Sequence, residues 1–307
     1  MAITDAYRTL VFIVGPTGSG KTDLSIRVAR HFGAPIVSAD SRQFFRGMLI
    51  GTAQPTPGQL SEAEHHFIAS HEITDYYNCG KYEADALRLL DELFREHPVV
   101  VAVGGSGLYV DALCEGMDTL PDIDPAVRAR LMEQLAADGL GDLLAELKER
   151  DPEYYEQVDK NNPNRVVRAL EVCRQTGQPY SELRRGVKQK RGFDVIKIGT
   201  TLPREELYNR INRRVDMMVE AGLEKEAHGL YHMRELNALQ TVGYREWFDH
   251  FDGTTTREEA IELIKRNSRR YAKRQMTWFG RDENITWFAP TDTAGVITHI
   301  ETKLRTT

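Results

Sequence analysis

The sequence contains few cysteines and no long apolar run. Its three cysteines are too far apart for a C-x-x-C pair, a zinc-binding spacing or a disulfide framework. A reducing compartment, the cytoplasm, is therefore expected. No apolar stretch approaches the roughly 18 residues that cross a bilayer, so we expect no membrane partner. The first residues lack the basic and apolar regions of a signal peptide, and secretion is not expected.

Charge is unevenly distributed along the 307 residues. The formal net charge is −6, which argues against a general nucleic-acid-binding protein. Residues 115–159 carry 13 acidic and 4 basic side chains, whereas residues 160–191 carry 9 basic and 2 acidic ones. Residues 265–281 contain 7 basic residues and no acidic one. Such basic blocks suit a polyanionic partner, and solvated surfaces are the alternative interpretation.

Short apolar runs alternate with amphipathic segments in most of the chain. Strands are predicted at Thr9–Val14, Pro35–Ala39, Pro98–Val103 and Phe193–Thr200. Helices are predicted at Lys21–His31 and Lys81–His97. This alternation indicates an α/β fold, a parallel sheet flanked by helices.

Residues 115–191 show helix signals only, at Pro125–Ala137, Gly141–Arg150 and Asn164–Thr176. We therefore expect a catalytic core formed by residues 1–114 and 192–307, interrupted by an all-helical insertion at 115–191.

The octapeptide GPTGSGKT follows the first predicted strand and opens the first predicted helix. In this context glycines let successive N–H groups face phosphate oxygens, Lys21 adds a positive charge, and Thr22 offers a hydroxyl to Mg²⁺. The motif predicts a P-loop NTPase-like core and a phosphate site made of Gly15, Pro16, Thr17, Gly18, Ser19, Gly20, Lys21 and Thr22.

A nucleoside triphosphate is the default ligand of such a loop, but a second motif is missing. Pro98–Val103 ends at two glycines, where a kinase or motor needs a metal-holding carboxylate. The nearest strand-end carboxylate is Asp40 in SADSRQ, a candidate base or metal partner. Alternatively, Asp40 and Gln43 form the capping box of a helix. Ser106 in GGSGLY follows the third strand and is expected at the same sheet edge, where ligands bind.

The last basic block has helical spacing. One side of the predicted helix collects the cations Arg266, Arg269, Arg270, Lys273 and Arg274. The opposite, packed side collects Ile264, Tyr271, Gln275 and Trp278. The cationic side suits a phosphate backbone.

Six motifs occur in the order found in one family: GPTGSGKT, SADSRQFFRGMLIGTAQPT, GGSGLY, NPNRVVRALEV, VGYRE and KRQMTWF. From Val11 to about Phe288 the chain resembles the tRNA dimethylallyltransferases, of the tRNA isopentenyltransferase family. It is similar to the bacterial type, without the zinc finger of some eukaryotic relatives.

The resemblance implies that the loop holds the diphosphate of dimethylallyl diphosphate. The acceptor would be the exocyclic N6 amine of the adenosine 3′ of the tRNA anticodon. Asp40 would act as the base, and Ser106, where the family usually has threonine, would assist it. Arg214 in RRVDMM matches the arginine of the family that stabilises the diphosphate, with Arg213 as the adjacent alternative. Mg²⁺ would be the cofactor, near Thr22.

The resemblance also implies that the insertion grips the anticodon arm of tRNA and that the protein is a monomer. Gly280 stands where the family often has an arginine. The residues expected to contact tRNA are Asp40, Ser41, Arg42, Gln43, Ser106, Arg128, Asn164, Arg165, Val166, Val167, Arg168, Gly243, Tyr244, Lys273, Arg274 and Gln275.

Three other functions remain open on the residues alone. The first is a P-loop kinase of a small molecule, and the second is an adenylate isopentenyltransferase acting on free AMP or ADP. The third is a non-enzymatic RNA-binding module that uses a nucleotide as a switch.

Overall fold

One parallel sheet organises the part of the chain that the computed structural model describes, residues 8–118, 120–186 and 188–306. The strand order is β3-β2-β4-β1-β5-β6, and each neighbouring pair is parallel. The strands are β1 (Thr9–Val14), β2 (Ile36–Ser38), β3 (His65–His66), β4 (Val99–Gly104), β5 (Asp194–Thr200) and β6 (Ile285–Phe288).

Helices cover both faces of this sheet because its central strands are apolar on both sides. All six residues of β1 are buried. Leu10, Phe12 and Val14 face one hydrophobic cluster, whereas Val11 and Ile13 face another. A continuous apolar run of this kind is typical of a parallel strand buried on two faces.

The helices are α1 (Lys21–Phe32), α2 (Pro57–Glu62), α3 (Cys79–Leu93), α4 (Gly107–Glu115), α5 (Pro125–Asp138), α6 (Leu140–Arg150), α7 (Pro152–Gln157), α8 (Pro163–Thr176), α9 (Tyr180–Leu183), α10 (Arg204–Glu220), α11 (Leu223–Leu230), α12 (Arg245–Phe251), α13 (Arg257–Phe279) and α14 (Thr293–Leu304). None of the helices in the described residues is both long and apolar enough to cross a membrane.

The described residues form two compact units. One comprises the residues up to Cys114 together with those from Arg191 onward, and contains the sheet. The other, Glu115–Lys190, contains the helices α5 to α9. Its separate core includes Leu131, Leu143 and Leu147.

The α/β class and the parallel sheet predicted from the sequence are confirmed. All four predicted strands occur. The strand β6 was not predicted because its four residues, ITWF, carry little periodic signal. Helix α3 begins at Cys79 and ends at Leu93, earlier than the predicted end at His97, since Asn78 caps its start and Phe94 closes its last turn.

The sheet topology brings three loops to one edge. Parallel strands end on the same side, so β1, β2 and β4 deliver Gly15, Asp40 and Gly105 to their common carboxyl edge. Gly104 is pressed against the neighbouring strand, because a Cβ there would lie 2.6 Å from the carbonyl oxygen of Ala39. The loops carrying the candidate site are therefore adjacent.

Removing a side chain from the core should destabilise the sheet unit. Leu90 on α3 is 1% exposed, and Leu90→Ala should cost about 2–5 kcal/mol because it leaves a cavity. Urea unfolding would measure this as a lower midpoint. The control is Leu49→Ala, at a leucine that is 53% exposed. Similar losses in the two variants would contradict the assignment of Leu90 to the core.

Candidate active site

The loop between β1 and α1 has the backbone of an anion cradle. Gly15, Gly18 and Gly20 have φ of +145°, +81° and +92°, values that favour glycine. A Cβ on Gly15 would collide with the hydroxyl of Thr200. Gly20 begins α1 without a side-chain cap. The first N–H groups of the helix are therefore available to an anion.

Lys21 lies inside this cradle. Its ammonium donates to the carbonyl of Pro16 at 2.7 Å. Burial lowers the pKa of Lys21 to about 7, the Asp40 carboxylate opposes this shift, and the Arg214 guanidinium adds to it. The environment thus disfavours the charged form that phosphate oxygens would stabilise.

Arg214 on α10 is the second cation at the loop. Its guanidinium approaches the hydroxyl of Thr17 at 3.5 Å, whereas Arg213 is exposed. Burial lowers the pKa of Arg214, again against the effect of Asp40. Within the described ranges neither Lys21 nor Arg214 forms an ion pair. Two largely desolvated cations that share only the nearby charge of Asp40, with no carboxylate of the described residues in ion-pair contact, favour an anionic ligand.

Asp40 follows β2 and faces these cations. It accepts a hydrogen bond from the backbone N–H of Arg42 at 3.0 Å. Residues 41–44 form turns, so the alternative of a helical capping box is wrong. Gln43 instead donates to the carbonyls of Thr52 and Ala53 at 3.2 and 3.0 Å.

Ser106 ties the third loop to the Asp40 segment. Its hydroxyl accepts from the N–H of Ser41 and donates to the Ser41 hydroxyl, both at 3.1 Å. Tyr271 lies beside them, and burial together with the charge of Asp40 raises its pKa to about 12. Arg42 is fixed by bonds to the carbonyls of Asn237 and Ala238 at 2.7 and 3.2 Å.

Tyr244 and Gln275, both expected at the RNA surface, have buried side chains. Tyr244 is 0% exposed, and its hydroxyl donates to Glu226 at 2.6 Å. Gln275 is 6% exposed. Its amide accepts from the N–H of Thr17 at 2.8 Å and donates to the carbonyl of Gly105 at 2.7 Å. Both side chains hold loops together in this structure.

The cationic face of α13 forms largely as predicted. Arg266, Arg270, Lys273 and Arg274 are exposed. Arg269 is partly buried and donates to Asn212 at 2.5 Å. Trp278, expected in the core, is 36% exposed, and its indole N–H donates to Asp111 at 3.0 Å.

In the helical unit the predicted contacts divide into surface and core. Asn164 and Arg165 are exposed, whereas Val166 and Val167 are buried. The buried Glu171 pairs with Arg128 at 2.6 Å and with Arg168 at 3.3 Å. These pairs fix two guanidinium groups of different helices beside each other. Gly243, in the sheet unit, donates its N–H to Glu246 at 2.8 Å.

The side chains available for a metal ion are few. No group of three or more His, Cys, Asp or Glu residues that could hold one occurs in the described sequence. The hydroxyl of Thr22, at the start of α1, is partly buried and can supply one oxygen ligand. Such a site suits an ion that takes its other ligands from phosphate oxygens and water.

Sequence reasoning missed several supporting residues. Thr200 at the end of β5 shares a hydrogen bond with Ser19 at 2.6 Å, and no motif signals it. Tyr271 was assigned to the packed side of its helix, but the sequence does not show that it lies beside Ser106. Its position four residues before Gln275, one turn away on the same face, is the signal that links the two.

The comparisons with known proteins agree with one another. The family model described as IPP transferase matches residues 43–282. tRNA dimethylallyltransferase 2 of Parabacteroides distasonis is 49% identical over 96% of this chain and 99% of its own. tRNA dimethylallyltransferase of Christiangramia forsetii is 50% identical over 97% of this chain and 99% of its own.

Solved structures show the same likeness. The tRNA isopentenylpyrophosphate transferase of Bacillus halodurans is 37% identical, with a TM-score of 0.72 and 97% of each chain covered. A eukaryotic dimethylallyltransferase acting on tRNA is 24% identical, with a TM-score of 0.77 over 96% of this chain and 77% of that chain, and shares the fold. The protein therefore belongs to the IPP transferase family, and its predicted resemblance to the tRNA dimethylallyltransferases is confirmed.

Proposed function

We propose that this protein transfers the dimethylallyl group of dimethylallyl diphosphate to the N6 amine of the adenosine 3′ of the tRNA anticodon, releasing diphosphate. The observation that carries the proposal is the placement of Lys21 and Arg214 at the phosphate loop, where they contact Pro16 and Thr17, with the carboxylate of Asp40 close enough to affect the pKa of both. Relatives about half identical along nearly the whole chain are named tRNA dimethylallyltransferases, which supports the same reaction.

The cradle would hold the diphosphate and stabilise it as it leaves. As the allylic C–O bond breaks, its electron pair passes to the diphosphate, and negative charge grows on the leaving oxygens. Lys21, Arg214 and the N–H groups at the start of α1 would stabilise that charge. Mg²⁺ held by the Thr22 hydroxyl and the diphosphate would neutralise further charge on the leaving group.

Asp40 would act at the other reactant. The adenine amine is a weak nucleophile because its lone pair is conjugated with the ring. As the amine nitrogen bonds to the allylic carbon, Asp40 accepts the proton that the nitrogen loses. Ser41, Ser106 and Tyr271 surround the segment of Asp40, and their contacts would hold the base at a constant distance from the amine.

The cationic surfaces would bind the acceptor RNA. The target base must leave its stack to reach Asp40, as in other enzymes that act on bases. The exposed cations of α13 are placed on a continuous helix face, which suits the phosphates of the anticodon arm. We assign a second contact with that arm to the helical insertion at 115–191. Arg128 and Arg168, which Glu171 holds beside each other, would bind its phosphates. A cytoplasmic monomer is the form we propose.

The decisive test is nucleoside mass spectrometry of tRNA after reaction. Unmodified tRNA with adenosine 3′ of the anticodon is incubated with the protein, Mg²⁺ and dimethylallyl diphosphate, without ATP. Prenylated adenosine at that position is expected. No product with tRNA, together with prenylation of free AMP or consumption of ATP in parallel reactions, would replace this function by one of the alternatives.

Replacing the base should slow the chemical step. Asp40→Asn keeps the size of the side chain but cannot accept the proton, so single-turnover prenylation should fall by about 10²- to 10⁴-fold. Quenched-flow sampling with mass detection would measure this rate. Asp249→Asn, at an exposed aspartate of α12, is the control. Equal rates for Asp40→Asn and wild type would remove Asp40 from the reaction.

Diphosphate binding should take up a proton. Because the pKa of Lys21 is about 7 in the free protein, its amine is mostly neutral at pH 8. The bound anion raises that pKa, so about one proton enters per site. Affinity should therefore decline as the pH rises above 7. Calorimetry in two buffers of different ionisation enthalpy would measure the uptake. Lys21→Arg, which stays charged, should abolish it, and equal uptake in both proteins would contradict this role.

The α13 cations should account for part of the salt dependence of tRNA binding. Lys273 is exposed in this stripe, and Lys273→Ala should lower the slope of log affinity against log salt by about one. Filter binding between low and moderate salt would give the slope. Lys225→Ala, an exposed lysine of α11 outside the stripe, serves as the control. An unchanged slope for Lys273→Ala would mean that no phosphate contacts this side chain.

A further inference from the structure

One buried amide connects the two loops of the active site. Gln275 accepts from the N–H of Thr17 at 2.8 Å and donates to the carbonyl of Gly105 at 2.7 Å. In sequence these partners lie 258 and 170 residues away. Gln275 is 6% exposed, so water does not readily replace its partners. Breaking either hydrogen bond would leave a buried polar group without a partner, which is unfavourable.

At the phosphate loop this contact determines what the backbone offers to the ligand. The N–H of Thr17 is committed to Gln275 and the N–H of Ser19 to the carbonyl of Pro16, so neither is free for the diphosphate in this conformation. The hydroxyl of the same Thr17 is the group that the Arg214 guanidinium approaches. Gln275 therefore holds Thr17 in place, and Thr17 is the residue that the guanidinium of Arg214 contacts.

At the second loop the contact lies next to the base. A Cβ on Gly105 would collide with the amide nitrogen of Gln275, which explains the glycine. The following residue, Ser106, is bonded to Ser41, the neighbour of Asp40. A shift of Gln275 would thus move the loop of Ser106, and with it the segment of Asp40, as well as the phosphate loop.

The helix that carries Gln275 also carries the cationic face. Lys273, Arg274 and Trp278 of α13 are exposed within three residues of it. A polyanion that binds this face could therefore shift α13. Gln275 would pass that shift on to Thr17 and Gly105 through its two hydrogen bonds.

We propose that Gln275 is a positioning residue that couples the two substrates, so that RNA on α13 tightens diphosphate binding at the loop. The inference rests on the proposed function. Coupling of this kind is reciprocal, so diphosphate must tighten RNA binding by the same factor.

The test compares wild type with Gln275→Met, which keeps the bulk and removes both hydrogen bonds. Calorimetry would measure the affinity for inorganic diphosphate with Mg²⁺, with and without unmodified tRNA. In wild type tRNA should tighten diphosphate binding by about fivefold or more. In Gln275→Met this factor should fall close to one, while affinity for tRNA alone changes less than twofold. Lys225→Met, at an exposed lysine of α11 outside the cationic stripe, should keep the wild-type factor.

Several outcomes would overturn the coupling. They are an unchanged factor in Gln275→Met, a factor of one in wild type, or a large loss of affinity for tRNA alone, which would indicate a direct RNA contact. Failure of the proposed function looks different, since wild type would then form no prenylated adenosine whatever the coupling.

A second measurement needs neither substrate. Hydrogen exchange in the free protein should be faster at the amides of residues 15–20 in Gln275→Met, since Thr17 loses its acceptor. Gln275→Glu retains that acceptor and should show intermediate exchange. Unchanged exchange in Gln275→Met would mean that Gln275 does not position the loop.

Discussion

The active site depends on two cationic side chains gathered at the start of one helix and offset in part by the nearby carboxylate of Asp40. Lys21 and Arg214 are desolvated, repel each other, and have no ion-pair partner among the described residues. The uncapped N-terminus of α1 adds its partial positive charge at the same place. This arrangement costs stability in the free protein, and a bound anion of high charge would offset that cost. The glycines of the phosphate loop, Thr17 and the segment of Asp40 all lie around these two cations.

Placement of the reacting groups follows from the parallel sheet. Three strands end at the same edge, so the cradle, the base segment and the glycine loop of Ser106 need no long excursions to meet. Helix α13 closes this assembly from outside the sheet. Its buried face reaches Thr17 and Gly105 through Gln275, and its exposed face is cationic. One helix thus carries both the support of the site and a surface for a polyanion.

The sequence allowed the local parts of this arrangement to be predicted. A β-branched run, a glycine-rich loop and an amphipathic helix are contiguous, so β1, the cradle and α1 could be derived from residues 9–32 alone. The partners of Gln275, Tyr244 and Arg42 could not, because they lie far away in sequence and leave no periodic signal. Asp40 and Gln43 matched a capping box, but the side chain of Gln43 instead donates hydrogen bonds to the carbonyls of Thr52 and Ala53, 9 and 10 residues away.

The central claim is that this phosphate loop stabilises a departing diphosphate, with carbon–oxygen cleavage, instead of transferring phosphorus. Dimethylallyl diphosphate labelled with ¹⁸O at the oxygen between carbon and phosphorus tests it directly. After reaction with tRNA, the account predicts all of the label in the released diphosphate and an unlabelled prenyl group on adenosine. Label retained on a prenyl alcohol, with phosphate transferred or released, would show phosphorus–oxygen cleavage and contradict the account.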